Sequence, residues 1–262
     1  MDQKEDKSIK KTSTPYGVKF DSAATYDILI ISLSLIAIFF PIINFYLHSS
    51  SYENSPSIKN LFFITQIFLT IAMYWIKDQQ DHFLEEAFEL KRKVELDTAF
   101  GTKFSQYGVT DYFDVEEINP GYKKLLALTH ENAIFTKRNS SILKDLYRFF
   151  LVVLFIAFVA LVCQGLIYSE LSLSIFNIIV FTIMLERLSS IHRLEQGCKS
   201  IVDKCSSTSD NDPQFTVKVL EIFTDYNSLL SQTKVNIPSK IHKRTTKQNH
   251  EDWEEILNRY YR

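Results

Sequence analysis

ILIISLSLIAIFFPIINFYLHSSSY, residues 28–52, holds no Asp, Glu, Lys or Arg. A helix needs about 20 apolar residues to cross a hydrocarbon core of about 30 Å, because in lipid every backbone polar group must be bonded within its own segment. Three more uncharged runs follow, residues 60–76, 149–169 and 171–185, so the four fall into two close pairs. The spans centred on residues 27–47 and 146–168 are long and rich in Ile, Leu, Phe and Val. The second and fourth are short for a span, but links too brief to hold a domain, residues 48–59 and 168–172, tie each to a long partner. A hairpin buries both arms together, and the longer arm carries the shorter. The expected fold class is therefore an all-α membrane protein: four transmembrane helices as two hairpins with cytoplasmic helical extensions.

Charge placement supplies an orientation. Lys and Arg stay on the cytoplasmic side of short membrane-flanking segments, and of the 29 in this chain only Lys59 lies in a link between hairpin arms. The expected order is a cytoplasmic N-terminal tail (1–26), a first transmembrane hairpin (27–76), a cytoplasmic helical segment (77–146), a second hairpin (147–187) and a cytoplasmic helical C-terminal segment (188–262), with both termini in the cytoplasm. A charged lead and no small-residue cleavage pattern argue that the first run is an anchor and not a cleaved signal. Bulk composition hides all of this. A mean hydropathy of −0.05, 23% charged residues and a net charge of −2 average apolar spans with polar segments.

The polar segments mix acids with bases, as across residues 85–97, so no basic face points to DNA binding. Six glycines form no phosphate-cradling loop, and Ser and Thr lack a nucleophile elbow. His130-Glu131 has no second histidine to complete a zinc-protease helix. Cys198 and Cys205, with His192, are spaced six and seven residues apart, unlike closed zinc sites, so they read as small apolar fillers, as does Cys163. No enzyme activity, metal or cofactor is expected.

Each half carries its helix onward past the apolar run. Ile76, Phe83, Ala87, Leu90 and Val94 mark one face, and Met184, Leu188, Ile191, Cys198 and Val202 another. Such narrow stripes suit packing against each other or against copies in a homo-oligomer. The first of these helices should stop near Gly101, and the next should resume after Pro120 and end near Lys137-Arg138. A further amphipathic helix is expected over residues 215–232, and after Ile237-Pro238 a basic, polar tail.

Asn44, Gln66, Gln164 and Asn177 are amides at membrane depth, with Ser32, Ser34, Thr65 and Thr70 as hydroxyls. An unpaired amide in hydrocarbon is costly, so these groups either bond helix to helix or, with Gln66 and Asn177 at comparable depth, line a passage. Pro41 can kink the first span. No acid or base lies deep enough for a proton relay.

The stretches THENAIFTKRNSSIL (residues 129–143) and DYNSLLSQTKVNIPSKIHKR (residues 225–244), followed by Trp253, together with the order hairpin, cytoplasmic segment, hairpin, tail, resemble the SMODS-associated four-transmembrane effectors of bacterial antiphage defence. That family's aromatic after the Ile-Pro-Ser step is here Lys240. The resemblance implies a membrane effector in abortive infection, activated by a cyclic oligonucleotide signal or an associated nucleotidyltransferase, which disrupts the bilayer or forms a pore as an oligomer. A nucleotide would need cations, for which Lys123, Lys124, Lys137 and Arg138 are candidates, and base-stacking aromatics, Tyr107, Tyr112 or Phe113. The residues themselves also leave open a constitutive channel or transporter subunit and a non-catalytic membrane scaffold.

Overall fold

The computed structural model describes residues 15–49, 56–105, 115, 117–163 and 171–261, without the side chains at 15, 38–49, 56–60, 62–63, 154, 157–158, 160–163 and 171–181. The described residues form helices and no strand: α1 Pro15–Ser49, α2 Pro56–Phe100, α3 Tyr122–Cys163, α4 Leu171–Ser207, α5 Phe215–Thr233 and α6 Ser239–Tyr260. Proline stands at the first position of α1 and α2, where its missing N–H costs nothing and its ring presets φ.

The four long helices pair as antiparallel hairpins. Lys19 reaches Glu86, Ala23 reaches Gln80, and Ser34 reaches Met73, so α1 and α2 run past each other in opposite directions. Lys144 with Glu195 and His130 with Ser206 set the same relation between α3 and α4. Buried residues recur every seven positions, at Gln66, Met73, Gln80, Ala87 and Val94 on α2 and at Met184, Ile191, Cys198 and Cys205 on α4, the repeat of helices that pack along a shared seam. The expected stripes are thus covered chiefly within the chain, α2 by α1 and α4 by α3 and α5. Gly197 shows how closely α5 lies on α4: a Cβ there would meet Leu229 Cδ2 at 2.4 Å.

The hairpin register gathers the apolar helix halves at one end and the polar halves, with α5 and α6, at the other. Among the described side chains most of the core sits in the polar half, where Leu84, Leu125, Leu128, Leu194, Tyr226 and Trp253 are almost fully buried. In the apolar half the large side chains turn outward. Phe68, Ile71, Tyr74, Trp75, Phe149 and Ile156 are each more than half exposed. One stretch among the described residues, Tyr16–Ala37, is long and apolar enough to cross a membrane, and 17% of its most apolar window is buried inside the protein. The other three runs do not reach that length and hydropathy among the described residues.

Two boundaries fall where the punctuation placed them, the end of α2 before Gly101 and the start of α3 at Tyr122, after Pro120. α2 stops at Phe100, and Gly101 takes φ +69°, a left-handed turn that costs glycine nothing. The Asp97 carboxylate then accepts hydrogen bonds from Thr102 Oγ1 (2.7 Å), Phe104 N (2.6 Å) and Ser105 N (2.7 Å). Burial opposes ionisation there, but these donors outweigh it and hold the carboxyl at about 2.

Two expectations are corrected. The helix after Pro120 does not end near Lys137-Arg138; it runs unbroken to Cys163. No Gly or Pro interrupts it, and Ser140, just past the expected stop, bonds back to the Thr136 carbonyl. The basic tail beyond Pro238 is helix α6, whose buried residues Ile241, Thr245, Asn249, Trp253 and Leu257 recur every fourth position.

Candidate functional site at the base of the apolar bundle

α5 ends at Lys234, which takes the left-handed conformation (φ 46°, ψ 40°) and donates its N–H to the Leu230 carbonyl at 3.0 Å. This cap turns the chain into the short connector that precedes α6. Val235 and Asn236 are buried, and Asn236 Nδ2 donates to the Phe20 carbonyl of α1 at 3.2 Å. The connector therefore lies against the long helices at the level where their uncharged runs begin.

Arg187 of α4 binds this connector to the bundle. Its Nη1 donates to the Lys234 carbonyl at 3.0 Å, while Nη2 lies 2.8 and 3.1 Å from the two carboxylate oxygens of Asp27 on α1. Lys234 Nζ reaches Glu85 at 2.6 Å and Asp81 at 3.7 Å on α2. Lys77 and Glu186 pair at 3.1 Å between α2 and α4. Burial raises the pKa of Asp81; Lys234, Lys77 and Arg187 oppose this without cancelling it. Between these groups lies a cavity of about 240 Å³ that Tyr147, Ser190 and Arg193 also line. Its lining sets three acids, Asp27, Asp81 and Glu186, against four bases, Lys77, Arg187, Arg193 and Lys234. The arrangement is a mechanical joint: α1, α2, α4 and the α5 cap share ionic bonds, so the connector cannot shift without disturbing the bases of three long helices.

Below the joint, a buried polar layer crosses α2, α3 and α5. Asn132 Nδ2 donates to Glu95 Oε1 at 2.9 Å, Lys91 lies 3.6 Å from the same carboxylate, and the Tyr226 hydroxyl bonds Thr136 at 3.0 Å. Burial raises Glu95 despite Lys91 and pushes the Tyr226 hydroxyl up to about 12. Cys198 and Cys205 are buried too, which lifts both thiols to about 12 and keeps them protonated.

Polar side chains also hold α6 on α3. Thr245 Oγ1 donates to Asn139 Oδ1 at 2.6 Å, Asn139 meets His242 Nδ1 at 3.3 Å, and Arg138 donates to Asn249 at 3.0 Å and pairs with Asp252. His130 packs edge-on against Trp253 at 5.9 Å and bonds the Tyr261 hydroxyl at 3.0 Å. Residues 129–143 and 225–244 thus face each other through Thr136–Tyr226 and Asn139–His242, with Trp253 beside them.

The candidate cations do not form one cluster. Lys123 and Lys124 open α3, whereas Lys137 and Arg138 follow 14 residues later, about 21 Å along the helix at 1.5 Å per residue. Lys123 pairs with Asp210 at 2.9 Å beside a cavity of about 590 Å³ that Ile118, Phe215 and Leu257 help to line. Tyr107, Tyr112, Phe113 and Gln164 lie outside the described residues, as do the side chains of Asn44 and Asn177. Gln66 is fully buried, and neither of its amide atoms is hydrogen-bonded. Sequence reasoning missed the joint. Its signal was present in Asp27 just before the first run and Glu186-Arg187 just after the fourth, positions that antiparallel pairing brings to one level. No protein-family model, curated protein or solved structure matches this chain in comparison.

Proposed function

We propose that this chain is a non-catalytic effector of bacterial antiphage defence. It crosses the inner membrane four times as two helical hairpins, with both termini in the cytoplasm. A cytoplasmic signal, a cyclic oligonucleotide or an associated nucleotidyltransferase, rearranges or oligomerises it so that membrane integrity fails and the infected cell stops growing. The observation that carries this reading is the outward turn of large apolar side chains at the end where all four uncharged runs collect. Sixteen of the twenty-four exposed large hydrophobic residues described fall within those runs. Water would penalise that surface, whereas lipid tails solvate it.

The polar half supports the signalling part of the reading. It packs as a body of its own, and its connector reaches the bases of the long helices through Arg187 and Lys234. A ligand or partner that moved α5 or α6 would act on the membrane helices through this joint. The pairing of the two stretches that resemble the effector family adds to it, because their side chains build the interface that holds α6 in place.

The test is infection. Cells carrying this gene with its genomic neighbours should lose membrane potential and stop growing after phage infection, and reporter fusions should place both termini and residues 78–145 in the cytoplasm. Maintained potential in infected cells that make the protein would defeat the effector reading. A periplasmic terminus would defeat the topology.

A further inference from the structure

Among the described side chains of the apolar half, Ala37 and Met73, with Leu33 packed against them, join α1 to α2 in a cluster apart from the large core of the polar half. Its polar groups are poorly served. Ser34 Oγ is 1% exposed and donates to the thioether of Met73 at 3.6 Å, a weak acceptor. Gln66, one heptad from Met73 on the same face, is 0% exposed with both amide atoms unbonded. A primary amide offers two donor hydrogens and two acceptor lone pairs, and burying it unpaired forfeits its hydration. At the other end α1 is clamped: Gln80 Nε2 of α2 donates to its Ala23 carbonyl at 3.3 Å, and Arg187 of α4 holds its Asp27.

We propose that the α1–α2 seam is the part of the bundle that opens, and that Gln66 lines the aqueous path it opens into. This rests on the membrane-effector reading above and names the surface through which that activity runs. The closed seam leaves the Gln66 amide stranded, so any state that admits water gains its hydrogen bonds. A conformational equilibrium shifts only through such a difference between its two states. The clamp at Gln80 and Asp27 makes the opening a parting of the helices above a retained base. Movement of the α5 cap reaches that base through Arg187. The ligand taken in is water, with the hydrated monovalent ions it carries.

The full-length protein and three variants test this in vesicles of phosphatidylethanolamine and phosphatidylglycerol. Gln66→Leu matches the apolar surroundings, so it should raise Tm by roughly 3 °C or more and lower potassium flux. Gln66→Glu places in the seam a carboxyl that burial keeps protonated while the seam is closed and that ionises once water reaches it, so at neutral pH it favours the open state. It should raise flux without any signal by roughly tenfold or more and favour potassium over chloride. Ser34→Ala should raise Tm slightly and leave ion selectivity alone. A folded Gln66→Glu protein that stays impermeable, or one that conducts without altered selectivity, overturns the proposal. So does a Gln66→Leu protein whose Tm falls. The two readings fail separately: if infected cells keep their potential while Gln66→Leu gains stability and Gln66→Glu conducts, the defence role falls and the seam stands. If infection depolarises Gln66→Leu cells as fast as wild type and the variant gains no stability, the seam falls and the effector role stands.

Discussion

Nη2 of Arg187 lies 2.8 and 3.1 Å from the two carboxylate oxygens of Asp27, although 160 residues separate them in the chain. The side chains are 17% and 15% exposed, so neither charge is well solvated. Removing one partner strands the other, a change that costs about 3–5 kcal/mol for buried pairs. Asp27→Asn and Arg187→Gln should each lower the unfolding temperature of the purified chain in detergent. The double variant should lose less than the sum, by about 1–3 kcal/mol of coupling. Arg187→Gln should be the worse single change because it also loses the Lys234 carbonyl bond. Additive losses would show that the pair does not hold α1 to α4.

The two tryptophans report on the two halves separately. Trp75 is 62% exposed in the apolar half and Trp253 is 0% exposed in the polar half. Brominated lipid tails quench indole fluorescence on contact. In such bilayers Trp253→Phe, which keeps only Trp75, should be strongly quenched, and Trp75→Phe, which keeps only Trp253, should keep its emission. Equal quenching of the two variants, or none in either, would contradict the placement of residues 60–76 in lipid.

His130 makes stability depend on pH. Burial lowers its pKa from 6.5 to about 4, so as pH falls through 6.5 the unfolded imidazole binds a proton that the folded one refuses. Proton uptake then favours unfolding, and the stability this histidine contributes declines between 6.5 and 4, by at most about 3 kcal/mol. His242 is shifted the same way, by burial and then by Lys91. Glu95 acts in the opposite sense: its raised pKa favours the folded chain on the acid side and loses that advantage as pH rises. His130→Gln isolates the histidine. Its Tm should fall less than that of wild type between about pH 7 and about pH 4.5, and matching slopes would rule out a buried neutral His130.

Uncharged length and hairpin pairing were legible in the sequence because apolar runs and turn residues act locally. Gly101 ends a helix wherever it is placed, and α2 ends there. α6 was not legible. Its buried face alternates Ile241, Trp253 and Leu257 with Thr245 and Asn249, and a search for hydrophobic periodicity passes over a face whose polar members are satisfied by another helix. The joint was legible in part. Asp27 and Glu186-Arg187 flank uncharged runs, but Lys234 lies far from both in the chain and presents its carbonyl to Arg187 through a backbone conformation that no side-chain pattern announces. Of the candidate nucleotide cations, Lys123 is engaged by Asp210 and Arg138 by Asn249 and Asp252, partners that sequence alone does not assign.

Gly197 tests whether the polar half is a tightly docked body that can transmit a signal. Glycine inside a helix costs roughly 1 kcal/mol relative to alanine, so an isolated α4 would gain stability from the Gly197→Ala change. In the folded chain a Cβ at this position meets Leu229 at 2.4 and 2.6 Å, a clash that must push the Leu229 side chain or the whole of α5 aside. Overpacking of this kind costs about 1–3 kcal/mol, enough to reverse the helical gain. Gly197→Ala should therefore lower Tm, and Gly197→Ala with Leu229→Ala should recover part of the loss. A larger side chain goes further. Gly197→Leu should lift α5 and draw its Lys234 cap away from Arg187, which would appear as faster hydrogen exchange across residues 230–238 with exchange at residues 125–135 unchanged. Protection retained in the connector would mean that α5 can shift without pulling on the joint, and the mechanical route from the polar half to the apolar helices would fail.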